Sequence, residues 1–114
     1  MKPISRENCP VMRAVEAIGD PWTLLILREF FLSGSRRFSD IETQLDVSPN
    51  TLSARMKKLE DTGIVSREIY SQRPLRAEYQ LTEKGRALAP VMNALYDWGQ
   101  AHTSGGTGKR PAKK

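Results

Sequence analysis

Only Asp46, Val47 and Ser48 separate the end of one predicted helix from the first residue of the next, and few folds accommodate so short a link. Upstream, Ser39-Asp40-Ile41-Glu42 has the pattern of a capping box, in which a hydroxyl and a carboxylate three residues apart satisfy unpaired amides; it opens a short helix ending near Leu45. Downstream, Ser48-Pro49 opens another. Serine caps the free amides, and proline at the first helical position gives up an N–H that has no partner there anyway. This helix points Leu52, Met56 and Leu59 inward at spacings of four and three, and Gly63 ends it as a left-handed C-terminal residue. Asn50, Thr51, Ser53, Ala54, Lys57 and Lys58 are left facing outward.

The flanks of this pair are also legible. Cys9-Pro10 opens a first helix, and Asp20-Pro21 opens a second that runs through Phe31. Trp22, Leu24, Leu25, Ile26, Leu27, Phe30 and Phe31 surround most of the second helix's axis, which predicts a central, buried position. After Gly63 the period changes to alternation: Val65, Arg67 and Ile69 against Ser66, Glu68 and Tyr70, then Ala77, Tyr79 and Leu81 against Arg76, Glu78 and Gln80. The two strands form a hairpin, with Ser71 to Leu75 as the connection and Arg73 and Arg76 as a basic tip. Thr82 caps a long last helix, within which Pro90 predicts a kink.

A chain of 114 residues fits one small domain. Its 39% apolar and 27% charged residues suit a soluble globular protein. The longest strongly apolar stretch, Trp22 to Leu27, falls far short of the roughly 20 residues that span a bilayer. With no secretory signal at the N-terminus, the expected location is the cytoplasm, without membrane attachment. From Thr103 onward Ser, Gly, Lys, Arg and Pro predominate, so residues 1–102 read as the domain and 103–114 as a disordered basic tail. The net charge of +5 suggests a polyanionic partner, but residues 1–104 carry 14 basic and 13 acidic side chains, a net of only +1. The evidence for such a partner therefore lies in the pattern rather than the total.

That pattern is helix, helix, short helix, tight turn, helix, hairpin, helix. It predicts a mainly α, α+β winged helix-turn-helix with added terminal helices. A helix that starts with small polar residues can enter a major groove and reach base edges. Ser48, Pro49, Asn50, Thr51 and Ser53 form that start, from a recognition helix spanning about 49–61. Lys57 and Lys58 are placed for phosphates, and the wing at 71–76 puts Arg73 and Arg76 on the flanking backbone or minor groove. Arg36, Arg37 and Ser39, ahead of the short helix, are further candidates for contact with DNA. Arg55 stands partly toward the body, so an internal ion pair and a phosphate contact both remain open. Catalysis is not supported. His102 is the only histidine, and Gly105-Gly106-Thr107-Gly108-Lys109 lacks the first glycine and the Ser or Thr of a phosphate loop, so neither a triad, a metal cluster nor a nucleotide cofactor is indicated.

The segments Cys9-Pro10-Val11, Gly19-Asp20-Pro21-Trp22-Thr23-Leu24-Leu25-Ile26-Leu27-Arg28-Glu29, Arg37-Phe38-Ser39-Asp40-Ile41, Ser48-Pro49 with Leu52-Ser53-Ala54-Arg55-Met56, Leu59-Glu60-Asp61-Thr62-Gly63-Ile64-Val65 and Glu78-Tyr79-Gln80-Leu81-Thr82-Glu83-Lys84-Gly85 resemble, in this order, the HxlR-type transcriptional regulators. The resemblance spans residues 9 to about 99. It implies a homodimer built from the first and last helices, binding double-stranded operator DNA. Asp20 departs from the Gly or Lys of many relatives but preserves the cap.

Val11, Leu88, Val91, Met92, Leu95, Tyr96 and Trp98 are the expected dimer interface: the resemblance implies the first and last helices, and the last helix carries more apolar surface than a small domain leaves in water. Trp22, Tyr96 and Trp98 could line a pocket for a small-molecule effector, but aromatics at helical spacing favour an interface. Cys9, the sole cysteine, sits where a helix dipole favours a thiolate. It reads either as a sensor of oxidants or electrophiles or as inert packing. A winged-helix module that binds only protein and a thiol-based scavenger are the competing functions.

Overall fold

The computed structural model describes residues 9–112. Helix α1 (Pro10–Ile18) starts at Cys9 with proline in its first turn. Helix α2 (Pro21–Ser33) starts at Asp20, whose carboxylate accepts the Thr23 N–H at 3.0 Å, and stops at Gly34, where φ is +75° and a side chain would be strained. Ile26, Leu27 and Phe30 are buried at its centre, and Trp22, Leu24 and Phe31 pack partly against the same core.

Helix α3 (Phe38–Leu45) begins earlier than the capping-box reading predicts. Its N-cap is Arg37 rather than Ser39, because the Asp40 carboxylate, three residues on, takes the Arg37 N–H at 3.1 Å. Asp46 ends the helix in the left-handed region at φ +52°, Val47 is buried in the turn, and Ser48 caps α4 (Pro49–Asp61). Leu52, Met56 and Leu59 are the buried residues of α4, as their spacing predicts. Full burial of a leucine stabilises by roughly 1.5–3 kcal/mol, so this side anchors the helix firmly. Gly63, at φ +79°, lets the chain reverse into the wing.

The wing is a two-stranded antiparallel sheet of β1 (Val65–Gln72) and β2 (Leu75–Leu81). Pairing runs from Val65 opposite Leu81 to Ile69 opposite Ala77, then shifts so that Ser71 faces Arg76 and Gln72 faces Leu75. Tyr70 is the extra residue of this bulge. The strands therefore extend further than predicted, and the connection contracts from 71–75 to Arg73-Pro74. A third short pairing, unforeseen in the sequence, joins Arg36 to Tyr79 through reciprocal N–H···O bonds of 2.9 and 2.7 Å, and ties the α2–α3 connection to the wing.

The last helix is not one kinked rod. Helix α5 (Glu83–Arg86) ends at Ala87, and α6 (Ala89–His102) begins with Pro90 in its first turn, where proline is tolerated and no kink is required. Thr82 secures the wing root: its hydroxyl faces the Gly63 and Ile64 carbonyls, and its oxygen accepts the Gly85 N–H at 3.1 Å. Residues 103–112 have no helix or strand, in line with their composition, yet they turn back along α6 rather than leaving the body. Arg110 pairs with Asp97 at 2.8 Å and lies 4.9 Å above the Tyr96 ring; Tyr96 donates to the Gly108 carbonyl at 2.9 Å, and the Ala112 N–H donates to Asn93 at 3.3 Å. The tail is rich in glycine and polar residues but makes specific contacts at Tyr96, Asp97 and Asn93, and its Pro111 and Ala112 are buried.

Candidate nucleic-acid interface

Helix α4 is held from within and open without. Ser48, Pro49, Asn50, Ser53, Ala54, Lys57 and Lys58 are exposed and Thr51 is half-buried. The start of the helix is stiffened: the Ser48 hydroxyl accepts the Thr51 N–H at 3.2 Å and meets the Thr51 hydroxyl at 2.9 Å. Both hydroxyls thus already have partners, whereas among the described residues Asn50, Ser53 and Lys58 make no side-chain hydrogen bond or ion pair. Lys57 reaches Asp61 at 3.3 Å, with both side chains largely in water, where such a pair adds little.

Arg55 is the residue whose role the sequence left open. Its Nε donates to Asp20 Oδ2 at 2.7 Å and its Nη2 to Oδ1 at 3.1 Å, a bidentate pair across 35 residues. It therefore clamps α4 to the start of α2 instead of standing free for phosphate. The Arg55 guanidinium holds the Asp20 carboxyl below the usual carboxylate range; partial burial opposes this shift and the Thr23 N–H reinforces it. The arginine is correspondingly raised. One carboxylate thus caps α2 and fixes the outward-facing helix.

Arg36 is also committed elsewhere. Its Nη2 meets Glu29 at 3.3 Å, and Glu29, only 4% exposed, also receives Arg28 at 3.1 Å. A buried carboxylate in an apolar helix requires such partners, so Arg36 serves the wing attachment rather than a phosphate. The pattern within α2 gave no hint of this role for Glu29. Arg37 and Ser39 are exposed at the start of α3, beside the turn. At the far end of the wing Arg73 and Arg76 are exposed, together with Tyr70 and Leu75, two large side chains that the charge-based reading passed over. Arg67 approaches Glu60 at 3.9 Å and links the wing to the last turn of α4.

The expected interface residues separate into two groups. Val11 on α1 and Val91, Leu95 and Trp98 on α6 stand in water, Val11 at 70% and Trp98 at 63% exposure, and Val15 joins them. Met92, by contrast, is buried in this chain's own core, Leu88 packs against that core, and Tyr96 is occupied by the tail. Their helix faces point elsewhere. Trp22 likewise packs on the core. Cys9 is half-buried at the N-cap of α1.

An exposed helix after a sharp turn, held by a buried apolar seam and flanked by a basic two-stranded wing, defines a winged helix-turn-helix transcription regulator. The HxlR-like helix-turn-helix family matches residues 17–106, and the chain belongs to that family, which is one of regulators rather than enzymes. It is 43% identical over 94 residues to the uncharacterized HTH-type transcriptional regulator YvaP of Bacillus subtilis, covering 81% of this chain and 86% of the relative. It is 45% identical over 96 residues to the regulator Mb3122 of Mycobacterium bovis, covering 84% of this chain but only 60% of that longer protein. Among solved structures, the redox regulator HypR in its oxidized form superimposes with a TM-score of 0.75 at 33% identity, covering 85% of this chain and all of that one. The reduced form of YodB from B. subtilis gives 0.69 at 31% identity, with 86% and 97% covered. No helix among the described residues is long and apolar enough to cross a membrane.

Proposed function

We propose that the chain binds a pseudo-palindromic operator as a homodimer, placing α4 of each protomer in successive major grooves about 34–36 Å apart and each wing on the flanking backbone or minor groove. The observation that carries this reading is the division of labour on α4: its inner side and Arg55 are used for anchoring, while Asn50, Ser53 and Lys58 have no structural duty. The exposed apolar residues of α1 and α6 support the dimer, since a monomer of this size rarely leaves such a surface in water.

Selection of bound sequences from a random duplex pool tests the reading, followed by binding measurements on the enriched site and on unrelated DNA. Asn50→Ala is expected to reduce discrimination between the two by about 1–3 kcal/mol, and Lys58→Ala to weaken both alike. A chain that retains no duplex even at low salt would instead be a protein-interaction module.

In the same proposal, Cys9 tunes this binding when a two-electron oxidant such as diamide takes up two hydrogens and joins it in a disulfide to a thiol from outside the chain, the partner's Cys9 included. The support is a half-buried cysteine at the N-cap of one of the two proposed dimer helices, together with structural neighbours described as a redox regulator and as diamide-treated YodB. Diamide is expected to change operator affinity of the native chain and to leave Cys9→Ser unaffected; the same response in both would remove Cys9 from the account.

A further inference from the structure

A cleft of about 390 Å³ opens between α2 and α6 and is walled on its remaining side by the tail. This volume lies at the lower end of the roughly 300–1,000 Å³ typical of small-molecule sites. Leu24, Leu25, Met92 and Leu95 supply its apolar lining, with Gln100 and Thr103 among the polar side chains beside them. Its fringe carries Arg28 and Lys109, and no carboxylate among the described residues lines it. Glu29 pairs with both Arg28 and Arg36, so the three side chains together carry one positive charge, to which Lys109 adds a second. Arg28 binds it through Nε and Nη2, which fixes the guanidinium while its Nη1 is not used in that pairing.

The family match ends at residue 106, whereas the wall continues through Gly108, Lys109 and Pro111, fastened by Arg110 on Asp97 and Tyr96. Glycines on both sides keep the space open, and a Cβ added at Gly99 or Gly108 meets nothing within 4 Å.

We propose that the cleft binds a small aromatic anion, its flat apolar body between the leucines and its carboxylate or sulfonate toward Arg28 and Lys109, and that it is the effector site of the regulator. The effector role rests on the proposed function; occupancy of the cleft does not. The route of coupling is physical. Helix α2 holds the outward-facing α4 through Asp20 and Arg55, and α6 carries the exposed apolar stripe, so a molecule seated between α2 and α6 bears on both at once.

The test uses the full chain without DNA and two fluorescent probes, anilinonaphthalene sulfonate and N-phenylnaphthylamine, which has the same rings without the charge. The sulfonate is expected to bind one site per chain and more tightly than the amine. Arg28→Gln weakens the sulfonate about tenfold, the loss of one charge-assisted bond, and leaves the amine unchanged. Gly99→Leu abolishes both, because its side chain enters the open space while a helical glycine is replaced by a good helix former; a melting curve confirms that the variant folds. Equal affinity for the two probes would refute an anion site. Sulfonate binding that survives Gly99→Leu but is lost in Trp98→Ala would place the probe on the exposed stripe of α6 and overturn the proposal. Because no DNA is present, failure here leaves the operator reading standing. Success in a chain that binds no DNA would keep the site and remove its effector role.

Discussion

One substitution, glycine to alanine, is expected to act with opposite sign at two helical positions. At Gly99, in the last turn of α6, an added Cβ meets nothing within 4 Å, so the change only removes backbone freedom from the unfolded chain and stabilises by up to about 1 kcal/mol. At Gly85 in α5 the added Cβ would lie 2.2 Å from the Ile64 carbonyl oxygen and 3.0 Å from Leu81 Cδ2. The leucine tip can swing away, but the carbonyl cannot: it accepts the Thr82 N–H at 3.0 Å and faces the Thr82 hydroxyl at 3.1 Å. Moving it by the ångström or so required strains the packing by about 1–3 kcal/mol and weakens one or two bonds of about 1 kcal/mol each. After the helix-propensity gain of about 1 kcal/mol, the net destabilisation is about 1–4 kcal/mol. For a domain of this size that lowers Tm by roughly 4–16 °C, against a rise of roughly 4 °C for Gly99→Ala. Thermal unfolding by circular dichroism at one fixed protomer concentration measures both, since association would otherwise shift the midpoint. An unchanged Tm for Gly85→Ala would refute the packing described for the wing root, and a lowered one for Gly99→Ala would refute the open space described beside α6.

Three further outcomes are expected. Because Arg55 holds Asp20 below the usual carboxylate range, the stability from this pair is fully present above about pH 4 and lost as pH falls through the depressed value; Asp20→Asn, which retains the cap, should remove that part of the acid dependence in urea titrations at successive pH values. If Asp20→Asn and the native chain lose stability in parallel as pH falls, the clamp is not acting as described. Replacing Arg73 and Arg76 with glutamine should lower the slope of log affinity against log salt by about 0.9 for each phosphate that is no longer neutralised, and an unchanged slope would take the wing off the backbone. Val91→Glu on the exposed stripe should yield monomers by light scattering while leaving the melting curve cooperative; a persistent dimer would place the interface elsewhere.

The helices and the wing could be read from the sequence because proline, glycine and capping residues mark their ends through local chemistry. Where several caps competed, local pattern was insufficient. Ser39 looked like the start of α3, but Asp40 reached back to Arg37; Pro90 looked like a kink, but the chain had already broken at Ala87. The separation of α4 into an inner and an outer side followed from its period of Leu52, Met56 and Leu59. The occupation of Arg36 and Arg55 did not, because both partners are distant in sequence or hidden in an apolar helix. Met92 shows the same limit in reverse: on α6 a stripe of apolar residues gives the period of the helix but does not say which member turns inward. The contacts of the tail were beyond pattern altogether, since they depend on one arginine finding Asp97 and Tyr96 across a run of glycines.

The bidentate tie between Asp20 and Arg55 has a consequence for how such a protein can change over time. Under the proposed operator reading, the outward-facing helix is secured from behind by that pair, and substitutions at Asn50, Ser53 or Lys58 remove no side-chain hydrogen bond or ion pair among the described residues. Target preference is thereby free to drift toward new sequences, one surface letter at a time, on a scaffold that does not register the edits.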